Sequence, residues 1–364
     1  MSTAAEDRLL ARRPPKVLAK LPANSRVCLL NSKDILTVLK SAPVIVMACN
    51  TRIRHVIPGI MKAAMETDSL VAFELAKSES DLKGGYSGMT PQDYFNTIVE
   101  YAEKIGYDRP FLIHGDHLTV KTNKEEDIRA TESLIAEQLR VGYTCYALDA
   151  SFNEEEDNIA ITSRMARPIA EMGFGLETEV GEIKSVGSSG EITTVEEART
   201  FVEGLKDNGI TPHLLGINNG SKHGNYLEGE EISIDLERTG ECYKAVRKHG
   251  VCIAQHGITG TPIHLVGQFA DYGIRKGNVG TEWQNIAHRN LPDDLMTEMT
   301  NWASGAGKDI KFATRQFLKE INSIPDKYKK AIEEESRKTA VEYFKAFRAI
   351  GSATMLEKKV RGEK

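Results

Sequence analysis

Eight short apolar, largely β-branched runs alternate with amphipathic stretches along this chain, and that alternation constrains the fold more than any other feature. The runs are residues 44–49, 70–75, 110–114, 143–149, 174–180, 213–218, 251–256 and 274–279. The segments 56–66, 91–105, 124–141, 155–172, 195–208 and 232–249 read as helices by their apolar spacing. Pro91 after Thr90 is a good helix start, because a first-turn proline gives up no needed hydrogen bond. Strands buried on both faces are continuously apolar rather than alternating, as these runs are. Strict strand–helix alternation requires a parallel sheet. Eight units in about 240 residues match a (β/α)8 TIM barrel. An open doubly wound sheet would carry a glycine-rich fingerprint after its first strand. Here that strand leads into Asn50-Thr51-Arg52.

The expected architecture is therefore a single α/β domain over 1–364. It has a barrel at about 44–290, an N-terminal arm at 1–43 and C-terminal helices at 291–364. The arm is expected to pack on the barrel or on a neighbouring subunit. Residues 326–347 predict one long charged helix, with Tyr328, Ile332, Val341, Phe344 and Phe347 available for an apolar face. The final EKKVRGEK predicts a frayed end.

Composition narrows the function. Lys+Arg number 47 against Asp+Glu 52, a net charge of -5. A dedicated nucleic-acid binder would show a basic balance or stripe instead. There is no run of 18 apolar residues, so no membrane span is expected. The cysteines, at 28, 49, 145, 242 and 252, are odd in number and form no CxxC pair. That pattern predicts buried thiols in a reducing compartment, hence a cytoplasmic protein. The segment MSTAAEDRLLARRPPKVLAK has no apolar core and does not read as a secretory signal.

The chemistry gathers where the runs end, and in a barrel those ends meet at one mouth. The third run ends in His114-Gly115-Asp116-His117 and the fourth in Asp149-Ala150-Ser151. The fifth holds Glu177-Thr178-Glu179, and the sixth leads to Gly220-Ser221-Lys222-His223-Gly224. The seventh gives His256-Gly257-Ile258-Thr259-Gly260, and the eighth Lys276-Gly277-Asn278-Val279-Gly280-Thr281. One such histidine more often just satisfies a local hydrogen bond. Three at corresponding strand ends, His117, His223 and His256, with Glu179 as an oxygen donor, favour a divalent metal. The set suits zinc with a position left open for substrate. His114 reads as a packing or supporting residue, and His55, His213, His249, His264 and His288 as structural or surface groups. Asp116 next to a ligand reads equally as an acid/base group or as a partner holding a ligand histidine. A glycine pair more often marks a tight turn; beside His223 and His256 the glycines could also let backbone N–H groups approach a phosphate, with Thr259 as a further donor and Lys222 as charge. The Gly/Ser-rich loop 181–190 reads equally as a lid or as a solvated flexible connection.

HGDH, DAS, ETEVG, GSKHG, HGITG and KGNVGT, in this order, resemble the class II, zinc-dependent ketose-bisphosphate aldolases, a family that includes fructose-bisphosphate and tagatose-bisphosphate aldolases. The likeness spans about 44–290. It implies a homodimer or homotetramer acting on a small sugar phosphate, with no nucleic-acid or membrane partner. His117, His223 and His256 would hold Zn²⁺, or another divalent ion such as Co, Fe or Mn. Glu179 would be a fourth or alternate ligand. Asp149 would line the site near a second, monovalent cation position. Asp116 would take the C4 hydroxyl proton in cleavage and return it in condensation. Gly224, Gly257, Thr259, Asn278 and Thr281 would bind the dihydroxyacetone phosphate end. Asn50, Ser151 and Lys222 would add substrate contacts, and Glu182 or Glu191 would be the lid acid. No Schiff-base lysine is then required.

The leading substrate is fructose 1,6-bisphosphate, in a reaction of glycolysis and gluconeogenesis. The alternatives are another ketose phosphate (tagatose 1,6-bisphosphate, sedoheptulose bisphosphate or a sulfosugar phosphate) or a non-catalytic barrel subunit of an aldolase complex. The chain departs from the family pattern at three places. Gly280 stands where an Asp or Asn is usual. Ala76, with Ser78 nearby, stands where a Ser is common. The lid acid is displaced. Arg315 and Arg337 are the candidates for the far phosphate.

Overall fold

A computed structural model describes residues 9–181, 192–225 and 232–362. Its centre is a closed barrel of eight parallel strands in sequential order. They are β1 (Val46–Asn50), β2 (Val71–Ala76), β3 (Phe111–Thr119), β4 (Cys145–Asp149), β5 (Gly175–Val180), β6 (Leu214–Ile217), β7 (Cys252–Gln255) and β8 (Ile274–Val279). Closure pairs β1 with β8, setting Ala48 beside Asn278. The fold class read from the alternation is the one observed.

Helices of eight or more residues are numbered. The arm carries α1 (Ser32–Leu39), and the barrel helices are α2 (Ile57–Thr67), α3 (Pro91–Ile105), α4 (Glu125–Val141), α5 (Glu155–Glu171), α6 (Val195–Asp207) and α7 (Leu236–Val246). Two starts have local causes: Thr90 with Asp93, and Thr194 with Glu197, form reciprocal capping boxes. Between β7 and β8 the chain makes only short helical turns. Beyond β8 come α8 (Thr281–Arg289), α9 (Asp293–Gly305), α10 (Asp326–Ala346) and α11 (Ser352–Val360).

Three expectations on elements need correction. β3 runs five residues past the predicted 110–114, because the His-Gly-Asp-His segment continues the strand rather than following it. The helix expected over 232–249 begins only at Leu236, capped by Asp235, and its last turn is a 3-10 helix. The predicted frayed end is helical through Val360, since Leu356 and Ala353 are buried.

The described part of the arm packs on the barrel. Phe111 N donates to Cys28 O, and Leu30 N to Phe111 O. Ser32 Oγ bonds Thr144 O and accepts from Gly175 N. The long helix α10 lies along α2, where Lys62–Glu333 and Arg337–Glu66 form ion pairs. Arg337 is thereby engaged on the outside of the barrel and does not line the mouth. Arg315 donates to Gly85 O and does not line it either. All five cysteines are free and buried. No helix among the described residues is long and apolar enough to cross a membrane.

One barrel contact carries a pH prediction. Leu176 N donates to His213 Nδ1 at 3.3 Å, tying β5 to the start of β6. Burial, then the Lys40 and Lys33 charges, push this imidazole down to about 4. The unfolded chain takes up the proton near pH 6.5, the folded chain only near 4. Stability from this group is therefore complete above 6.5 and is lost as pH falls from 6.5 to 4, by roughly 3 kcal/mol at most. In urea unfolding across that range, His213→Gln should show a shallower acid decline than the parent. An identical slope would remove His213 as a cause.

Candidate active site

A cavity of about 1000 Å³ opens at the C-terminal ends of the strands. Its wall includes Asn50, Asp116, His117, Asp149, Glu179, His223, Gly224, Gly257, Thr259, Asn278 and Thr281. These eleven come from seven separate strand ends, so only barrel closure brings them together. Ser151 and Lys222 are not among the lining residues. Ser151 turns its hydroxyl to Asp149 Oδ1 at 2.6 Å. Glu182 and Glu191 lie outside the described residues, as does most of the 181–190 loop.

The site is built on an irregularity in β3. In a regular strand, residues 116 and 117 point to opposite faces. Here the register against β4 shifts between Gly115 and Leu118, and His117 takes φ +39°. Such a bulge re-aims a side chain at some local backbone cost. Both Asp116 and His117 then reach the interior.

The His117 ring centroid lies 4.4 Å from that of His256 and 5.0 Å from that of His223; His223 and His256 are 6.3 Å apart. His117 Nε2 meets His256 Nδ1 at 2.9 Å, and His117 Nδ1 meets Glu179 Oε1 at 2.9 Å. Asp149 Oδ2 is 4.0 Å from the same Nδ1. His117 forms two donor sets whose atoms all lie within 4.8 Å, one with Asp116 and His256, one with Asp149 and Glu179. His223 stands farther out and joins none of these tight sets, though its ring faces the same space.

The donor chemistry fits a metal ion. Glu179 Oε1 is buried and, despite its 2.9 Å contact, lacks an aligned hydrogen-bond partner. Burial pushes its carboxyl up and pushes the His223 imidazole down, toward the neutral form a ligand needs. His256 uses its Nε2 on Glu177 Oε1 at 2.9 Å, which leaves Nδ1 facing the other donors. A carboxylate fixing the far nitrogen of a ligand histidine is a common support.

Asp116 is held on both oxygens. Asn50 Nδ2 donates to Oδ2 and Asn278 Nδ2 to Oδ1, each at 2.9 Å. Burial alone would raise this carboxyl. The His117 ring and the Lys276 ammonium outweigh burial and hold it well below the usual carboxylate range.

Beneath the site lies a charge cluster that the sequence reading did not assemble. Lys276 Nζ is 2.8 Å from Glu177 Oε2, 3.3 Å from Glu74 Oε2 and 3.8 Å from Asp116 Oδ1. His114 Nε2 is 3.3 Å from the same Nζ. Burial would lower the Lys276 ammonium, but Glu177 and Glu74 hold it well above its ordinary value. His114 is pushed down to about 3 by burial and by Lys276, so it serves as a neutral supporting group. The available signal was a Glu and a Lys inside otherwise apolar strand runs. Arg52 was also missed. Its Nε pairs with Glu79 Oε1 at 2.6 Å beside the mouth.

At the other side, Gly257 has φ +65°, and a Cβ there would meet Lys222 O at 2.5 Å. Glycine thus lets the β6 and β7 loops close against each other, with Gly224 and Thr259 exposed to the cavity. Glu282 N donates to Thr259 Oγ1 at 3.1 Å, which fixes that hydroxyl against the start of α8.

A closed parallel barrel with titratable groups converging at its C-terminal mouth defines a (β/α)8-barrel enzyme. The pattern of the family described as "Fructose-bisphosphate aldolase class-II" matches residues 30–352, and the chain belongs to that family. It is an aldolase-type lyase, and enzymes of this family are generally metal-dependent.

A fructose-bisphosphate aldolase of Streptococcus pyogenes serotype M1 is 29% identical over 265 residues, covering 71% of this chain and 81% of its own. One of Staphylococcus aureus is 26% identical over 247 residues, covering 65% and 76%. The YdjI aldolase from Escherichia coli K12 superimposes with a TM-score of 0.64 at 18% identity, over 89% of this chain and 99% of that one. A fructose-bisphosphate aldolase from Campylobacter jejuni does so with a TM-score of 0.63 at 17% identity, over 88% and 96%. At such identities the superpositions speak for the fold.

Proposed function

We propose that the chain catalyses reversible aldol cleavage of fructose 1,6-bisphosphate to dihydroxyacetone phosphate and glyceraldehyde 3-phosphate. The observation that carries this reading is the meeting of the His117, His223 and His256 rings beside the Asp116 carboxylate at one mouth. His117, His223 and His256 would hold the ion, with Glu179 as an alternate donor and Asp149 behind them. A three-nitrogen set with a carboxylate suits zinc. When bound, the ion supplies a Lewis acid for the negative charge that develops as the C3–C4 bond breaks.

The chain's own groups do the rest. Asp116, oriented by Asn50 and Asn278, accepts the C4 hydroxyl proton in cleavage and returns it in condensation. The His117 ring and the Lys276 ammonium beneath it keep the carboxylate ionised. Gly224, Gly257, Thr259 and Thr281 hold the ketone-side phosphate at the start of α8, which fixes the reacting carbons relative to Asp116. The assembly is a homodimer or homotetramer, which light scattering would check.

The test is release of triose phosphate from fructose 1,6-bisphosphate by the purified chain alone. Activity should vanish with chelator and return with Zn²⁺. Chelator-insensitive cleavage would overturn the mechanism, and a chain that binds zinc yet cleaves nothing without a partner would be a non-catalytic subunit. A second reading, an aldolase for tagatose or sedoheptulose bisphosphate or a sulfosugar phosphate, is favoured by Gly280 and Ala76. A higher kcat/KM on one of these would displace the lead.

A further inference from the structure

β2 and β3 part company at the mouth. β2 ends at Ala76, opposite Asp116, and Lys77 N still donates to Asp116 O at 3.2 Å. β3 runs on to Thr119 with no β2 partner beyond Asp116. The bulge falls in this unsupported stretch, where the register against β4 slips and His117 takes φ +39°. A residue other than glycine rarely holds that conformation, and it persists only where its surroundings over-determine it. One side chain stands in for the missing strand.

Lys77 reaches across the bulge. Its Nζ donates to Thr119 O at 2.7 Å and to Thr131 Oγ1 at 2.8 Å, and lies 3.6 Å from Asp127 Oδ1. Thr131 and Asp127 belong to α4, and Thr131 Oγ1 itself donates to Thr119 O at 3.1 Å. Lys77 thus holds Asp116 O before the bulge with its backbone and Thr119 O after it with its side chain. Thr119 closes the loop: its hydroxyl donates to His117 O at 3.0 Å and stands 3.2 Å from Asp149 Oδ2. With both ends fastened, the peptide at His117 cannot relax to the regular strand that would turn its ring outward.

Lys77 borders the cavity, yet its ammonium is not offered to a ligand. An ammonium has three N–H groups, and here three protein oxygens surround it. Burial pushes it down from its ordinary value, with Asp127 acting in the other direction. A cation placed against desolvation and committed to the β3 backbone and α4 is a fastener rather than a substrate contact.

We infer that Lys77 is a positioning residue for the metal ligand His117: by fastening Thr119 O across the β3 bulge, it keeps the His117 ring turned into the mouth. It acts through the backbone, not on the reacting atoms. This rests on the metal set proposed above.

The test reads the zinc affinity of the full chain, stripped by chelator and titrated with Zn²⁺ against chromophoric chelators of graded strength. Lys77→Met should weaken zinc binding about 10–100-fold, the scale on which residues that orient a metal ligand act. Lys77→Arg should recover part of it, since a guanidinium can still donate to Thr119 O and pair with Asp127. In a His117→Ala background, Lys77→Met should change zinc affinity by less than about twofold, because the ligand it acts through is gone.

Urea unfolding of the metal-free variants accompanies these titrations. Lowered stability with zinc affinity intact is the mark of a merely structural role and would overturn the inference. So would equal weakening with and without the His117 ring, or a Lys77→Met enzyme that binds zinc like the parent and shows only a raised KM for the ketose phosphate. Should Lys77→Met not fold, Thr131→Val decides in its place. Loss of that hydroxyl from the cage should weaken zinc binding about 5-fold, and unchanged affinity would count against Lys77. A parent chain that holds no zinc would sink the metal reading itself, whereas zinc held equally by parent and variant would sink Lys77 alone.

Discussion

Asp116→Ala is expected to reduce turnover about 10²–10⁴-fold, the span general acid/base catalysis commonly supplies. The bound metal should remain. The carboxylate sits at the centre of the mouth with both oxygens accepting from asparagines. His117, His223, His256 and Glu179 do not depend on those two hydrogen bonds for their positions. Metal content and single-turnover cleavage measured on the same preparation separate the roles. Lost metal with lost activity would make Asp116 a support for the ligands, and turnover within a few-fold of the parent would remove it from the mechanism.

The largest stability effect is expected at Lys276→Met. The ammonium is enclosed by Glu177 and Glu74, all three side chains nearly or wholly inaccessible. One cation serves two carboxyls. Burial and the nearby Asp116 push Glu74 up, while Lys276 and His256 overcome burial to keep Glu177 low. Removing one member of a buried ionic group leaves the others uncompensated and typically costs about 3–5 kcal/mol. Urea unfolding of Lys276→Met should show a loss of this order, and Lys276→Met with Glu177→Gln should regain part of it. A single variant within about 1 kcal/mol of the parent would mean the cluster relaxes or draws in water.

Much of the barrel was legible because strand and helix each leave a local signature. Runs apolar on every residue mark strands covered on both faces, and Thr90-Pro91 marks a helix start wherever it occurs. The strand-end motifs were legible for a related reason: once eight parallel strands are granted, their C-terminal ends must share one mouth. The corrections fall where tertiary contact overrides a local signal. Residues 357–360 look soluble and frayed, yet they stay helical because Leu356 is fully buried. Ser151 shares a motif with Asp149 and spends its hydroxyl on it. Arg337 has the charge for a phosphate but is spent on Glu66 and Glu334.

The sequence by itself determined the parallel barrel, the order of its elements and the residue types at its mouth, since periodicity and composition are local properties. Tertiary structure decided which of those residues meet. Alternation would send Asp116 and His117 to opposite faces; the β3 bulge turns them to the same one. Lys276 finds Glu74 and Glu177 only because the strands close into a ring, and Arg52 meets Gln284, 232 positions away, through the same closure. Such contacts join positions scores or hundreds of residues apart, so they arise from packing, and no local propensity encodes them.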